Sequence, residues 1–123
     1  MSKVNIKIWD RDFEIEVEYY GQLEDEMTKQ QKDSLNEFLE SGKAVDNSLK
    51  ELKSYVYQTS NGNLNNDDID NIFRFVMPKY LYIPKKKDTI AIMCNYKFDM
   101  ENGIAVVFEK GKLKCIGAED VIL

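Results

Sequence analysis

The chain has 123 residues, of which 43% are hydrophobic and 32% charged, and its formal net charge is −5. These values predict one folded domain over residues 1–123 and exclude an intrinsically disordered chain. The acidic balance argues against a nucleic-acid binder, which needs a basic face, and the absence of histidine excludes Ser-His-Asp catalysis, Cys-His catalysis and zinc sites with imidazole ligands.

The start of the chain and its cysteines indicate a compartment. No apolar run approaches the ~20 residues of a membrane span, and Met1–Trp9 alternates instead of offering the apolar core of a signal peptide. We therefore expect a cytoplasmic protein that does not bind membranes. Cys94 and Cys115 both lie in apolar runs, so we expect reduced, buried thiols and not a redox pair.

The first element predicted is a half-buried β-hairpin. Apolar and polar residues alternate over residues 3–8 and again over 13–19, on either side of Asp10-Arg11. A two-residue loop at Asp10-Arg11 predicts the cross-strand pairs Ile8 with Phe13, Ile6 with Ile15, Val4 with Val17, Lys7 with Glu14 and Lys3 with Glu18.

The outward positions of the second strand carry a row of carboxylates. Glu14, Glu16 and Glu18 repeat at a spacing of roughly 6.8 Å along the strand. Such a row could meet a basic partner or hold a divalent ion. The alternative is a solvated sheet face whose charge Lys3 and Lys7 partly offset.

Two amphipathic helices follow an acidic connection. Thr28 and Gln31 match a capping box, which predicts a helix from there to about Ser41, ended by Gly42. We expect this helix to bury Leu35, Phe38 and Leu39, and a second helix, starting at about Asp46, to present the stripe Val45, Leu49, Leu52 and Val56 with Tyr55 at its edge.

Residues 59–68 form the one clearly loop-like stretch. Its Asn and Asp residues suggest a calcium loop, but Gly62 is misplaced for an EF-hand and no glutamate closes the frame. We favour a helix cap at Asn66 or Asp67 that opens a short helix ending at Pro78 and burying Ile69, Ile72, Phe73 and Val76.

A strand is predicted next, at Lys79–Ile83. Pro84 suits an edge strand or the exit of a strand, and we predict a short edge strand, with Tyr80 and Tyr82 on one face and Leu81 and Ile83 on the other. Tyrosines beside Lys85-Lys86-Lys87 would suit stacking on nucleic acid, but the negative net charge of the chain favours a solvated turn at these lysines.

The last third of the chain predicts a three-stranded antiparallel meander. Its apolar runs are Ile90–Tyr96, Ile104–Phe108 and Leu113–Ile116, separated by Asn102-Gly103 and Lys110-Gly111, and its predicted pairs are Phe108 with Leu113, Val106 with Cys115 and Glu109 with Lys112. The fold class predicted is therefore α+β, an antiparallel sheet from the N-terminal hairpin and the C-terminal meander, covered on one face by two or three helices. Whether the two hairpins share one sheet is left open.

The segment FDMENGIAVVFEKGKLKCIGAEDVIL resembles the C-terminal signature of a family of small bacterial domains of unknown function of the toxin-immunity type. The most specific pieces are FDxENGIAVVF and IGxxDxIL, within the last quarter to third of the chain. The resemblance implies a non-catalytic immunity protein that neutralises a cognate toxin by direct contact, without cofactor or metal. Gly103, Gly111, Gly117 and Asp120 are expected to serve the framework of the fold.

Negative charge would steer such a protein toward a basic toxin domain, such as a nuclease. The candidate partner-binding residues are all acidic: Glu14, Glu16, Glu18, Glu24, Asp25, Glu26, Asp67, Asp68 and Asp70. One alternative is a self-associating accessory or scaffold domain that pairs through an exposed strand near Lys79–Ile83, so the expected state is a monomer or weak homodimer. Another is a carboxylate-based hydrolase using Glu14, Glu16, Asp99 and Glu101.

Overall fold

A computed structural model describes residues 2–21, 23, 26–60, 62, 69–86 and 88–122. These residues form six strands, two α-helices and two short 3-10 turns. The strands are β1 (Ser2–Ile8), β2 (Arg11–Tyr19), β3 (Val76–Ile83), β4 (Thr89–Tyr96), β5 (Ile104–Glu109) and β6 (Lys112–Gly117), the helices are α1 (Lys29–Glu40) and α2 (Gly42–Thr59), and the 3-10 turns are Ile72–Arg74 and Glu119–Val121.

All six strands belong to one sheet in the order β1-β2-β3-β4-β5-β6. Every neighbouring pair is antiparallel except β2 and β3, which are parallel. A parallel pair needs a long crossover connection, and α1 and α2 supply it. The α+β prediction is confirmed, and the two hairpins share one sheet.

The position predicted for β3 is wrong, because this strand lies inside the sheet between β2 and β4. Pro78 is tolerated there since β2 pairs with β3 only from Tyr80 onward, and since the β3–β4 register shifts between Pro78 and Tyr80. A proline at a bulge, with no β2 residue beside it, removes no ladder hydrogen bond.

The core lies between the helices and one face of the sheet. α1 contacts β3 and β4, whereas α2 contacts the two outer strands, β1 and β6. The predicted stripe of α2 is confirmed, with Val45, Leu52 and Val56 buried. In α1, Phe38 is buried as predicted, but Leu39 is exposed and Gln31 and Ser34 are buried instead.

Gln31 can be buried because its side chain forms two hydrogen bonds. The Gln31 side chain accepts from the Thr28 N–H at 2.9 Å and donates through Nε2 to the Tyr20 carbonyl at 3.0 Å. The capping box is thus confirmed and also ties α1 to the end of β2. Gly42 does not end α1, because Ser41 closes α1 and Gly42 is the first residue of α2.

The predicted third helix is replaced by the 3-10 turn Ile72–Arg74. Asn71 caps this turn by accepting the Phe73 N–H at 3.1 Å, and Val76 already starts β3. Ile69 and Ile72 are buried as predicted. The proposed caps Asn66 and Asp67 lie outside the described residues, as does most of the loop at 59–68.

The N-terminal hairpin has its predicted faces but a different register. Its loop is Trp9-Asp10, with φ of 50° and 69°, so Ile8 pairs with Arg11. The remaining pairs include Ile6 with Phe13, Val4 with Ile15, Lys7 with Asp12 and Lys3 with Glu16. A shift of two residues keeps every side chain on its predicted face, because side chains alternate with period two.

The C-terminal meander is confirmed with two corrections. Phe108 pairs with Leu113 and Glu109 with Lys112 as predicted, across a loop whose Lys110 and Gly111 have φ of 53° and 75°. A register shift beyond Phe108 then pairs Val106 with Ile116 instead of Cys115. β4 and β5 are joined by residues 97–103, not by a two-residue turn at Asn102-Gly103.

The described helices include none whose length and apolarity would let it cross a membrane.

Candidate functional site

Within the described chain, α1 and α2 pack on one face of the sheet only, and we call the other the open face. Ile122, which follows the 3-10 turn Glu119–Val121, packs on the β4 and β5 end of the open face. It consists of the residues that alternate with the core residues along each strand. On β1 to β3 its members are Lys3, Asn5, Lys7, Glu14, Glu16, Glu18, Tyr80 and Tyr82, and on β4 and β5 they are Ala91, Met93, Ala105 and Val107.

The open face has an apolar part and an acidic part. Ala91, Met93, Ala105 and Val107 form a second buried cluster, against which Tyr80, Tyr82 and Ile122 pack. The tyrosines therefore stand at the boundary between this cluster and the carboxylate row of β2. Their positions on a shared face were predicted, but their neighbours were not.

The parallel pairing of β2 and β3 sets each tyrosine beside one carboxylate. Glu16 is opposite Tyr80 and Glu18 is opposite Tyr82, and all four side chains are half-buried. Glu14 is more exposed and lies 3.8 Å from the Lys3 Nζ. Among the described residues, Glu16 and Glu18 have no ion-pair partner.

The environment of the two tyrosines keeps both hydroxyls protonated. Partial burial raises the pKa of Tyr80, and the charges of Glu119 and Glu18 raise it further. Burial also raises the pKa of Tyr82, with further contributions from Tyr20 and Glu18. Each hydroxyl can thus donate a hydrogen bond, while the carboxylates beside them accept.

Lysines at the margin of the open face are already engaged. The Lys79 Nζ lies 3.0 Å from Glu119 Oε1 and 5.6 Å from the centre of the Tyr80 ring. Lys85 lies over the Tyr20 ring at 5.9 Å, and Lys86 contacts Glu109 at 3.4 Å. Within the described chain, the lysines that follow Pro84 thus make internal contacts, which fits the predicted turn and not a phosphate-binding patch.

The structure separates the predicted acidic residues. Glu14, Glu16 and Glu18 form the row on the open face. Glu26 lines a cleft of about 330 Å³ with Gln31 and Ser34 of α1, at the end of the sheet where β2 stops.

Asp70 is exposed at the opposite end of the sheet, before the 3-10 turn whose Phe73 contacts the rings of Trp9 and Phe13 at 6.0 and 5.7 Å. Glu24, Asp25, Asp67 and Asp68 lie outside the described residues. Of the predicted acidic residues that the structure describes, it therefore brings together Glu14, Glu16 and Glu18 and leaves Glu26 and Asp70 apart from them.

The carboxylates nominated for hydrolysis are also apart. Asp99 and Glu101 lie in the connection between β4 and β5, and β3 separates β4 from the strand of Glu14 and Glu16. The Asp99 carboxylate accepts hydrogen bonds from the Asn102 backbone and side chain at 3.1 to 3.2 Å. In the described chain, no three His, Cys, Asp or Glu side chains are grouped as a metal site would require.

The two thiols differ, which corrects the prediction for one of them. Cys94 is buried and Cys115 is exposed. Burial raises the pKa of the Cys94 thiol. Cys115 is exposed because it lies on the outer strand β6, in a groove of about 330 Å³ that Glu51, Ser54 and Tyr55 of α2 also line.

These features define an α+β domain with a two-faced sheet, one face closed by helices and the other open. The chain belongs to the family described as DUF6985, a domain of unknown function, whose model matches residues 1–123. No curated protein and no solved structure matches it. The resemblance to a domain of unknown function is thus confirmed.

Proposed function

We propose that this protein is a non-catalytic binding module that recognises another protein through the open face of its sheet. The observation that carries the proposal is the placement of Tyr80 and Tyr82 beside Glu16 and Glu18 on the face that α1 and α2 do not cover. Half-buried tyrosines beside carboxylates are typical of protein interfaces, where they supply contact area and a hydroxyl together.

The partner we propose is a cognate toxin that the protein neutralises by direct contact. Support comes from the resemblance of the C-terminal segment to toxin-immunity domains and from the net charge of −5, which would steer the protein toward a basic surface. The segment that carries this resemblance belongs to the framework of the fold, because it contains β5 and β6. Its Glu119 N–H donates to the Asn102 carbonyl at 3.0 Å, which closes the end of the segment onto its beginning.

The proposal is tested by capturing the tagged protein from the cells that produce it and identifying stoichiometric partners. A captured partner that arrests growth when expressed alone, and not when expressed with this chain, is the expected result. A partner without toxicity, or capture of nothing while neighbouring genes are expressed, would contradict the immunity function.

Charge reversal then tests the face. Glu16→Lys with Glu18→Lys is expected to raise the dissociation constant of the partner by at least about tenfold, because repulsion replaces attraction at the contact. The matched control reverses Glu26 and Asp70, which changes the net charge equally at the two ends of the sheet. Equal losses in both variants would mean that only long-range steering matters, and no loss in either would exclude the open face.

A self-associating accessory domain is the second candidate. The observation that favours it is that β1 and β6 each pair on one side only, and free edges can pair with another chain. Against it, both edge strands carry exposed lysines, Lys3 and Lys7 on β1 and Lys112 and Lys114 on β6. Sedimentation velocity over a range of concentrations separates the candidates, since only self-association makes the mass rise with concentration.

A further inference from the structure

Two Glu–Tyr pairs repeat along the open face in the same orientation. Because β2 and β3 are parallel, Glu16 and Tyr80 form one pair, and Glu18 and Tyr82 form the next pair two residues along both strands. We infer that the two pairs are twin subsites for arginine side chains at alternate positions of an extended segment of the partner. This inference rests on the proposed function and names the chemistry of its partner.

The chemistry of each pair suits a guanidinium group. A carboxylate accepts its N–H donors in a fork, while an aromatic ring beside it offers a face on which the planar cation stacks. An arginine at the first pair would replace Lys79, which lies 5.6 Å from the centre of the Tyr80 ring. In the described chain no cation lies over the ring of Tyr82, in the second pair.

The internal lysines leave these two carboxylates available. Lys3 is opposite Glu16 in the register of β1 and β2, but its Nζ lies 3.8 Å from Glu14, and Lys79 pairs with Glu119 at 3.0 Å. Glu16 and Glu18 have no ion-pair partner within the described chain and are half-buried beside the tyrosines. A partly desolvated carboxylate without a counterion gains more from an incoming cation than a fully exposed one.

The spacing selects the conformation of the partner segment. Same-face residues of a strand are about 6.6 to 6.8 Å apart, which is also the separation of residues i and i+2 in an extended peptide. A helix places residues i and i+4 at about 6 Å, but its diameter of about 10 to 12 Å exceeds the strand spacing of about 4.8 Å. A helix over β2 and β3 would therefore also overlie β1, whose outward Lys3 and Lys7 repel a basic segment.

The test uses blocked seven-residue peptides with two arginines among serines and threonines. One peptide has arginines at positions three and five, and its isomer has them at three and four, so only the spacing differs. Titrations of isotope-labelled protein, followed by NMR, are expected to shift the amides of Glu16, Glu18, Tyr80 and Tyr82. The alternate peptide is expected to bind about tenfold more tightly than the isomer, which corresponds to about 1.4 kcal/mol.

Matched variants assign the effect to the pairs. Glu16→Gln with Glu18→Gln is expected to abolish the preference, and Tyr80→Leu with Tyr82→Leu to weaken it, with thermal melting used to verify that each variant folds. Asp12→Asn removes a charge from the same face of β2 and is expected to keep the preference, because Asp12 is opposite Lys7 in the register of β1 and β2 and no tyrosine pairs with it in the register of β2 and β3.

Three results would overturn the inference: equal binding of the two isomers, shifts confined to other surfaces, or an equal effect of Asp12→Asn. Tighter binding of a helical peptide with arginines at i and i+4 would overturn the extended conformation. If a toxin is captured whose affinity Glu16→Gln with Glu18→Gln does not change, the inference fails and the proposed function stands. If the alternate peptide is clearly preferred but no toxin is captured, the twin subsites stand and the immunity function fails.

Discussion

Trp9 shows how one side chain sets the register of a hairpin. Its backbone has φ of 50°, an uncommon conformation for a bulky residue, while its ring is buried and its Nε1 donates to Ser48 Oγ at 3.1 Å. The contact lies 39 residues away in sequence. Burial of the indole thus offsets local strain, and the loop forms one residue earlier than the polar Asp10-Arg11 suggests.

Ser48→Ala is expected to lower the free energy of unfolding by about 1 to 3 kcal/mol, because the buried indole N–H loses its acceptor. Urea denaturation followed by the fluorescence of Trp9, the one tryptophan of the chain, measures the change. Ser54→Ala is the control, since Ser54 lies exposed on the same helix. Indistinguishable results for the two variants would mean that the hydrogen bond does not stabilise the fold.

Gly103 is a second position where a single residue decides local structure. Its φ is +60°, and a Cβ there would lie 2.5 Å from the Cys94 carbonyl oxygen. Gly21 also has positive φ, +86°, but a Cβ there would meet nothing within 4 Å. Both glycines therefore relieve backbone strain, and only Gly103 also allows close packing.

Gly103→Ala is expected to destabilise the protein by at least about 2 kcal/mol more than Gly21→Ala, because only the first substitution forces the backbone of β4 to move. Chemical denaturation of both variants under one set of conditions gives the difference. Similar losses would show that the cost comes from φ alone.

At the scale of elements, the Glu109 carboxylate forms ion pairs with two other parts of the sheet. Glu109 on β5 contacts Lys114 on β6 at 3.2 Å and Lys86, between β3 and β4, at 3.4 Å. The hydrogen bond from Lys114, followed by the one from Lys86, lowers the pKa of Glu109 below its ordinary value of 4.5. The folded state therefore favours the charged carboxylate.

This shift predicts a pH dependence of stability. The unfolded chain takes up the Glu109 proton first as pH falls, so the stabilisation is present above pH 4.5 and is lost as pH drops through the lower pKa of the folded state. Thermal melting from pH 7 to pH 2 should show a difference between the wild type and Glu109→Gln that shrinks with acid. The control is Glu40→Gln, which removes an exposed carboxylate at the end of α1 and leaves the two ion pairs of Glu109 intact.

At the scale of the whole molecule, the two thiols differ in their access to solvent, because only Cys94 lies in the core between the helices and the sheet. Cys94 is on β4 in the middle of the sheet, and Cys115 is on β6 at its edge. A thiol reagent reaches Cys94 only when the helices and sheet separate, whereas Cys115 is open in the native state. The pair therefore reports global and local accessibility in one experiment.

Labelling with a chromogenic disulfide is expected to show one fast equivalent, from Cys115, and one slow equivalent, from Cys94, whose rate follows unfolding in urea. Cys115→Ser should remove the fast phase and Cys94→Ser the slow one. Rapid labelling of Cys94 in native buffer would contradict the closed core.

Much of the fold could be predicted from short-range patterns. The alternation over 13–19 indicated which side chains of β2 face the core, Thr28 and Gln31 indicated the start of α1, and Lys110-Gly111 indicated the loop between β5 and β6. The open-face site was predicted only as a row of carboxylates. Its tyrosines lie more than sixty positions along the chain, as the pairing of Glu16 with Tyr80 shows.

The sequence by itself determined the strands with their faces and the two long helices, because periodicity, caps and turn residues act within a few residues along the backbone. Only the tertiary structure decided the neighbours. It placed β3 inside the sheet and parallel to β2, moved the first loop to Trp9-Asp10 and paired each tyrosine with a carboxylate. These choices depend on the crossover through α1 and α2 and on the burial of Trp9 against α2, contacts between distant residues that no local pattern encodes.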